Sequence, residues 1–283
     1  RLETDVAIIG SGFSGALAAL ALRRTGRRVV LLERGRHPRF AIGESTTPLT
    51  NLLLEEFADR YDLPHVRVFS KWGTWQAARP DLPAGLKRGF TFVFHRDRET
   101  FADDGHHARQ LMVAASPHDG IADTHWYRPD FDRTLVEFAQ AAGAEYLYEI
   151  HLDAARPSSS ALTLEGTRHG RRVTVDAGFV IDAGGPRGFL TRVLGSGDVT
   201  PRWLPPTQGL YTHFSDVDRW EQVAPPDGLP PYRPDDAALH HVFPGGWIWV
   251  LRFNNGITSA GAALTDALAA DINIADRDTA WSR

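Results

Sequence analysis

The strongest constraint on the fold comes from the N-terminal segment, which combines two apolar strands, a helix and a set of spaced glycines. Short apolar runs at Val6–Ile9 and Val29–Leu32 are typical of buried strands, and the alanine- and leucine-rich stretch Phe13–Arg24 is typical of a helix. The pattern Gly10-x-Gly12-x-x-Gly15 joins the first strand to this helix. Such glycines permit a tight turn, close approach of the backbone to a pyrophosphate, and packing of helix against sheet. The segment therefore predicts an α/β dinucleotide-binding unit.

An acidic residue at the end of the second strand narrows the choice of dinucleotide. Glu33 follows Gly10 by 23 residues, where a carboxylate can accept hydrogen bonds from a ribose 2′-hydroxyl. A 2′-phosphate would instead favour an arginine, so the fingerprint leaves FAD and NAD as the candidates. The residues expected to contact the cofactor here are Gly10, Gly12, Phe13, Ser14, Gly15, Glu33 and Arg34.

Composition excludes several classes of function. The 283 residues include no cysteine, which rules out disulfides, thiolate catalysis and cysteine-ligated zinc. The net charge of −4 gives no reason to expect a nucleic-acid partner. No apolar run approaches the ~20 residues of a membrane span, so we expect a cytoplasmic protein without one.

Two later segments favour a flavin. Residues 125–146 contain Arg128-Pro-x-Phe-Asp132, after which apolar residues recur with helical spacing. Residues 179–188 predict a buried strand that ends in Asp182-Ala-Gly184-Gly. Together with the glycine fingerprint, these motifs resemble the FAD-dependent monooxygenase superfamily of the para-hydroxybenzoate hydroxylase type. The resemblance implies an α/β fold in which a Rossmann-like FAD-binding domain carries a mixed β-sheet substrate domain. It also adds Arg128, Asp182 and Gly184 to the expected cofactor-binding residues.

The segment Gly43-Glu44-Ser45-Thr46-Thr47-Pro48 resembles a more specific motif. It is similar to the GE(S/A)xxP segment of flavin-dependent halogenases of the tryptophan type and of their relatives, including geranylgeranyl reductases. In those proteins the segment is a loop beside the isoalloxazine ring. The resemblance thus implies that Gly43, Glu44, Ser45, Thr46 and Thr47 contact FAD. A capped helix start without a ligand is the alternative interpretation of the same residues.

Lysine is almost absent from the chain, which has Lys71 and Lys87 against 29 arginines. Burial can tune the protonation of lysine, whereas arginine keeps its proton. Residues 86–95 resemble the halogenase segment in which a lysine near the substrate handles hypohalous acid. We therefore expect Lys87 to be catalytic, with Lys71 as the second candidate. The alternative for each is an exposed lysine without a catalytic role.

Aromatic residues on two predicted strands form candidate substrate walls. Phe90 and Phe92 share one face of a strand, and Trp247 and Trp249 share one face of another. The second pair resembles the halogenase motif Trp-x-Trp-x-Ile-Pro, although Leu251-Arg252 stands where Ile-Pro would be. These four residues are expected to bind substrate; ordinary core packing is the alternative.

No metal site or hydrolase triad is expected. The adjacent histidine pairs at 106–107 and 240–241 would point to opposite faces of a strand, and no HExxH or GxSxG pattern supports a zinc centre or a nucleophile elbow.

The order of motifs predicts two discontinuous domains. Residues 1–70 and 126–195 are expected to form the FAD-binding domain, and residues 71–125 and 196–283 the substrate-binding domain. The superfamily's later Gly-Asp segment, which completes the flavin site, has no counterpart here, so we expect the chain to lack the C-terminal part of such a protein.

These patterns lead to one expected activity with alternatives. The resemblance implies an FAD-dependent halogenase in which reduced flavin, oxygen and chloride or bromide yield hypohalous acid, which Lys87 directs to an electron-rich aromatic. Since the chain has one dinucleotide fingerprint, a separate reductase would supply the reduced flavin. A flavin monooxygenase, a geranylgeranyl-reductase-like enzyme acting on apolar substrates and a flavin-binding protein without turnover remain open, and the oligomeric state is unknown.

Overall fold

A computed structural model describes residues 1–102, 105–185, 188–195, 206–226 and 228–282 of the chain. The strands are β1 (Leu2–Ile9), β2 (Val29–Leu32), β3 (Ala84–Lys87), β4 (Gly89–Phe94), β5 (Gln110–Ala114), β6 (Asp123–Trp126), β7 (Glu145–Leu147), β8 (Ile150–Pro157), β9 (Leu162–Arg168), β10 (Arg171–Asp182), β11 (Thr207–Phe214), β12 (Ala238–Phe243), β13 (Gly246–Arg252) and β14 (Thr258–Thr265). The helices are α1 (Phe13–Arg24), α2 (Pro48–Arg60), α3 (Pro64–Arg67), α4 (Trp72–Ala78), α5 (Arg128–Ala141), α6 (Phe189–Val193), α7 (Trp220–Val223), α8 (Asp266–Asp271) and α9 (Arg277–Trp281), with 3₁₀ turns at Val68–Ser70 and Asp119–Ile121.

The chain forms two compact units, each built from two segments. One unit comprises Arg1–Ile42 and Arg128–Arg202, and the other comprises Gly43–Tyr127 and Trp203–Arg283. This division differs from the expected domain boundary after residue 70, because hydrogen bonds of residues 46 and 51 to β6 tie residues 43–70 to the second unit. Residues 126 and 127 also belong there, and the expected boundary at residue 196 lies outside the described residues.

The first unit is a mixed α/β layer. Its sheet has the order β7-β2-β1-β10-β9-β8, in which β7, β2, β1 and β10 run parallel and β10, β9 and β8 are joined antiparallel. The two strands and the helix predicted from the glycine segment are present, and the strand predicted before Asp182-Ala-Gly184-Gly is the end of β10, which pairs with β1. This strand is not buried throughout as predicted, because Phe179 is 64% exposed.

Buried residues of this sheet form an apolar cluster. It contains Ala7, Ile9, Val30, Leu32, Ile150, Leu164, Val175 and Ala177. These residues come from five strands, β1, β2, β8, β9 and β10, and within β1, β2 and β10 the two members lie two residues apart, as the pleat of a strand requires. Helices α1 and α5 pack against each other and bury their own apolar residues, including Leu20 and Leu135.

The described part of the second unit contains two sheets: a six-stranded mixed sheet, called the larger sheet below, and a two-stranded ribbon. The sheet has the order β11-β14-β13-β12-β4-β5, with one parallel pair, β4 and β12; β3 and β6 form the antiparallel ribbon. Residues 240–261, with Asn254-Asn255-Gly256 as a turn signal, predict a hairpin, and β13 and β14 form it as an antiparallel pair. Within the described residues, no helix is long and apolar enough to cross a bilayer.

Candidate functional site

The glycine turn of the first unit requires glycine at two of its three positions. Gly10 has a φ of +95°, and a Cβ on it would lie 2.5 Å from the carbonyl oxygen of Ala183. A Cβ on Gly15 would lie 2.1 Å from the carbonyl oxygen of Gly10. Both clashes involve backbone atoms, so a side chain at either position would displace the turn.

Gly12 is different, because the protein itself leaves room there. Its φ of −67° suits any residue, and a Cβ would lie 3.4 Å from Nη2 of Arg128 and 3.7 Å from Nη2 of Arg39. Since Gly12 is the N-cap of α1 and has no capping side chain, the first-turn amides and the two guanidinium groups can serve a phosphate. The residues present therefore fit the pyrophosphate of a dinucleotide such as FAD.

Glu33 lies buried at the end of β2 as an ionised acceptor. One carboxylate oxygen accepts hydrogen bonds from the backbone amide (3.0 Å) and hydroxyl (2.8 Å) of Ser11, and the other accepts from the amide of Gly35 (2.8 Å). Burial opposes ionisation, but these donors and the charge of Arg39, 3.4 Å away, hold the pKa of Glu33 below its ordinary value. The carboxylate retains lone pairs that can accept from a ribose hydroxyl.

The expected cofactor residue Arg128 is fixed at the start of α5. Its guanidinium forms two 2.8 Å hydrogen bonds to Asp132, donates to the carbonyl of Ile42 at 2.7 Å and lies 4.7 Å from the ring centroid of Phe13. A bidentate pair of this kind fixes both the position and the plane of the guanidinium. Arg128 is thereby held beside Gly12.

Asp182 organises the turn after β10. Its two oxygens accept hydrogen bonds from the amides of Gly184 (3.0 Å) and Leu190 (2.7 Å). Because Asp182 pairs with Ile9, this turn lies at the same end of the sheet as Gly10. The remaining expected cofactor residues of this unit, Ser14 and Arg34, are exposed.

In the second unit, the segment 43–48 runs along β6 and hydrogen-bonds to its backbone. The amide of Trp126 donates to the carbonyl of Glu44 at 2.7 Å, and Ser45 bridges His125 in antiparallel fashion. Thr46 donates its amide (3.1 Å) and its hydroxyl (2.8 Å) to the carbonyl of Thr124, and the hydroxyl also accepts from the amide of Thr124 at 3.1 Å. The short polar side chains thus hold an irregular segment in a defined place.

Both ends of this segment have further structural partners. Glu44 is buried and accepts a 2.8 Å hydrogen bond from Nε2 of His213, whose ring stacks on Tyr127. Thr47 is the N-cap of α2 and forms a reciprocal capping box with Thr50, with Pro48 as the first helical residue. The capped helix start predicted from Ser-Thr-Thr-Pro is therefore present, with Thr47 as its cap.

Lys87 lies buried at the end of β3. Its side chain is 1% exposed, and its ammonium donates to the carbonyl of Thr46, lies 4.0 Å from the ring centroid of Phe90 and is 3.9 Å from a carboxylate oxygen of Asp123. Burial lowers the pKa of Lys87 to about 8, and the charge of Asp123 opposes this shift. The ammonium therefore links the segment 43–48 to the aromatic residues of β4, and its proton is transferable near neutral pH.

Lys71 has a different environment. It forms a 2.6 Å ion pair with Glu55, and its side chain is 31% exposed. Ser70 donates to the same carboxylate oxygen. The structure thus brings only one of the two candidate lysines to the segment 43–48, because Lys71 is engaged with α2 instead.

The expected substrate residues share one face of the larger sheet. In register across neighbouring strands lie Phe92, His240, Trp249, Gly261 and Tyr211. The rings of Phe92 and His240 stack at 5.0 Å. Their aromatic and histidine side chains are half-buried or exposed, whereas Gly261 lies buried under Trp249 and alternate positions such as Val93 and Leu239 are buried; this face is therefore not the unit's core.

The tryptophan strand has two further local features. Trp249 lies over Gly261, where a Cβ would come within 2.3 Å of the indole, and Trp247 is 40% exposed. Arg252, which stands where the halogenase motif has proline, forms an ion pair with buried Asp235 and donates to the carbonyl of Val217 at 2.8 Å. Proline could not provide these contacts, so the departure from the motif has a structural reason.

Several site residues have no sequence signal of their own. They are Ser11, His37 and Arg39 beside the glycine turn, and Asn51, Asp123, His125, His213 and His240 in the second unit. Their positions depend on strand pairing between distant segments, which spacing does not reveal. In the described part of the chain, no group of three histidine or acidic side chains is arranged to hold a metal ion.

Comparison with known proteins places this geometry in a family. The family model of FAD dependent oxidoreductases matches residues 5–281. The chain is 32% identical over 275 residues to the monodechloroaminopyrrolnitrin halogenase PrnC of Pseudomonas fluorescens, covering 94% of this chain and 46% of that protein. It is 31% identical over 253 residues to the tetracycline 7-halogenase of Kitasatospora aureofaciens, covering 89% and 44%.

A solved halogenase shares the fold. The structure of the halogenase PltM in complex with phloroglucinol and FAD superposes with a TM-score of 0.78 at 28% identity, over 93% of this chain and 52% of that one. The chain therefore spans about half the length of the relatives it matches. The α/β fold with mixed sheets is confirmed, and with a family model matched over almost its whole length this chain belongs to the FAD-dependent oxidoreductase family.

Proposed function

We propose that this chain carries the flavin-binding and lysine-bearing part of an FAD-dependent halogenase that acts on an electron-rich aromatic compound. The observation that carries the proposal is the buried Lys87 ammonium, held by the carbonyl of Thr46 and the ring of Phe90. Similarity to two curated halogenases over nearly the whole chain supports the same activity.

The first unit would bind the dinucleotide part of FAD. Gly12, the first turn of α1 and the guanidinium groups of Arg39 and Arg128 would receive the pyrophosphate, and Glu33 would accept from the ribose. In the second unit, the segment 43–47 is proposed to contact the cofactor, as its resemblance to the halogenase motif implies. Bound FAD in its reduced form supplies oxygen activation, by which a halide is oxidised to hypohalous acid.

Lys87 would orient the hypohalous acid. Its ammonium can donate a hydrogen bond to the oxygen of the acid, which makes the halogen more electrophilic in a low-dielectric site. As the aromatic carbon attacks the halogen, the carbon–halogen bond forms and the oxygen–halogen bond breaks; the released hydroxide combines with the proton lost from the ring and leaves as water. The bond to Thr46 uses one of the three N–H donors of the ammonium, so a second donor can serve the acid once it enters this buried site.

The aromatic face of the larger sheet would bind the substrate. Phe90 lies next to the Lys87 ammonium, and Phe92 stacks with His240 on the same face. Flat apolar rings of this kind bind an aromatic by stacking and exclude water from it. Trp247 and Trp249 would extend the same wall. A separate flavin reductase and chloride or bromide complete the proposed reaction.

The test is product formation with matched lysine variants. The chain is supplied with FAD, a flavin reductase, NADH, bromide and a panel of phenols, pyrroles and indoles, and products are read by mass spectrometry. We expect a brominated product with the parent chain and with Lys71→Met, and none with Lys87→Met, which still takes up FAD. A hydroxylated product, or an equal yield from Lys87→Met, would refute the assignment.

A further inference from the structure

A buried carboxylate lies opposite Lys87 and takes no part in the steps described above. Asp123 is fully buried on β6, and the register of the β3–β6 ribbon pairs it directly with Lys87. One of its oxygens accepts a 2.7 Å hydrogen bond from the side-chain amide of Asn51 on α2. The other oxygen has no hydrogen-bond partner among the described residues and lies 3.9 Å from the Lys87 ammonium.

This arrangement is costly for the fold, which points to a purpose beyond packing. A buried carboxylate needs both a countercharge and hydrogen bonds, and well-packed apolar residues of similar volume are often as stable. Burial raises the pKa of Asp123, while Lys87 and the Asn51 amide favour the ionised form. The Asn51 bond also prevents the carboxylate from rotating, so its second oxygen keeps facing the lysine.

We propose that Asp123, fixed by Asn51, is a positioning residue that holds the Lys87 ammonium, charged, at its place beside Phe90 and Thr46. The inference deepens the proposed function and rests on it. Because 3.9 Å is too long for a hydrogen bond, Asp123 acts through its charge and leaves the ammonium protons free for Thr46 and for an incoming ligand.

Other titratable groups near the lysine do not provide this countercharge. His125 on β6 and His240 on β12 both have pKa values lowered by burial and by the charge of Lys87, His125 to about 3. Neutral imidazoles do not stabilise an ammonium by charge. Asp123 is therefore the group whose removal should change the protonation of Lys87.

The presence of only two lysines makes a direct measurement possible. Lysine labelled with ¹³C at Cε gives two resonances whose shifts follow amine protonation, and Lys71→Arg assigns them. Asp123→Asn keeps the shape and can still accept from Asn51, yet removes the charge. We expect the Lys87 titration midpoint to fall by about one to two pH units in this variant. Asn51→Ala, which frees the carboxylate to rotate and to protonate, should lower the midpoint less, and it serves as the second variant if Asp123→Asn does not fold.

Glu55→Gln is the matched control, because Glu55 is the carboxylate partner of the other lysine. It should perturb the Lys71 resonance and leave the Lys87 midpoint unchanged. A Lys87 midpoint that is the same in the parent, Asp123→Asn and Asn51→Ala would overturn this inference, whether or not product forms. If the midpoint shifts as expected but the parent chain forms no halogenated product, the proposed function fails and the coupling of Asp123 to Lys87 stands.

Discussion

A substitution at Gly12 can weaken cofactor binding without destabilising the fold. At Gly12 a methyl group would meet its nearest neighbours at 3.4 Å or more, which is ordinary contact. We therefore predict that Gly12→Ala changes the free energy of unfolding by no more than about 0.5 kcal/mol. The same substitution should weaken FAD binding at least about tenfold, because the added methyl group occupies space reserved for the pyrophosphate. Quenching of FAD fluorescence and a thermal melt check the two effects.

Gly15→Ala is the contrasting control. The new Cβ would lie 2.1 Å from a backbone carbonyl oxygen, so we expect this variant to have a lower melting temperature even without FAD. Equal FAD affinity in Gly12→Ala and the parent chain would mean that the pyrophosphate is bound elsewhere.

Lys87 should make the rate of the proposed reaction fall as the pH rises. Burial lowers its pKa to about 8, so the ammonium is the main form below that pH and is lost above it. If the ammonium donates to hypohalous acid, the halogenation rate should fall as pH rises through about 8, after correction for the reductase rate. A rate that instead rises through this range would favour an amine nucleophile over a hydrogen-bond donor.

At the scale of elements, the segment 43–48 depends on one threonine. The Thr46 hydroxyl accepts from the amide of Thr124 and donates to its carbonyl, whereas the Thr46 amide alone can still serve that carbonyl. Thr46→Val keeps the volume but leaves the amide of Thr124 buried without a partner. We predict a loss of about 1–3 kcal/mol of unfolding free energy, measured by urea denaturation.

Thr47→Ala provides the comparison for this prediction. It removes the N-cap of α2 at an exposed position and should cost about 1 kcal/mol. A Thr46→Val variant as stable as the parent would show that β6 does not hold the segment through this hydroxyl.

The same elements show which features the sequence could predict. Strands β1 and β2 and helix α1 follow from local apolar periodicity and glycine spacing, and their bounds agree with prediction except that β1 starts earlier, at Leu2. The burial of Lys87 does not follow, because a lysine in a short strand next to Arg88 gives no local sign of being inside. It depends on pairing with β6 and on Thr46, both distant in the chain. The assignment of residues 43–70 to the second unit depends on these long-range bonds too.

At the scale of the whole chain, one glycine fingerprint must serve one dinucleotide. The described first unit has a single turn of this kind, formed by Gly10, Gly12 and Gly15, and its acid is already bound to Ser11 and Gly35. If FAD occupies this turn, NADH has no comparable place in the described residues.

We therefore predict that the chain with FAD, bromide and an aromatic substrate does not oxidise NADH faster than free FAD does, as followed by absorbance. Adding a flavin reductase should start both NADH consumption and product formation. Rapid NADH oxidation by the chain alone, stimulated by the aromatic substrate, would instead identify a self-sufficient monooxygenase and remove the need for a reductase partner.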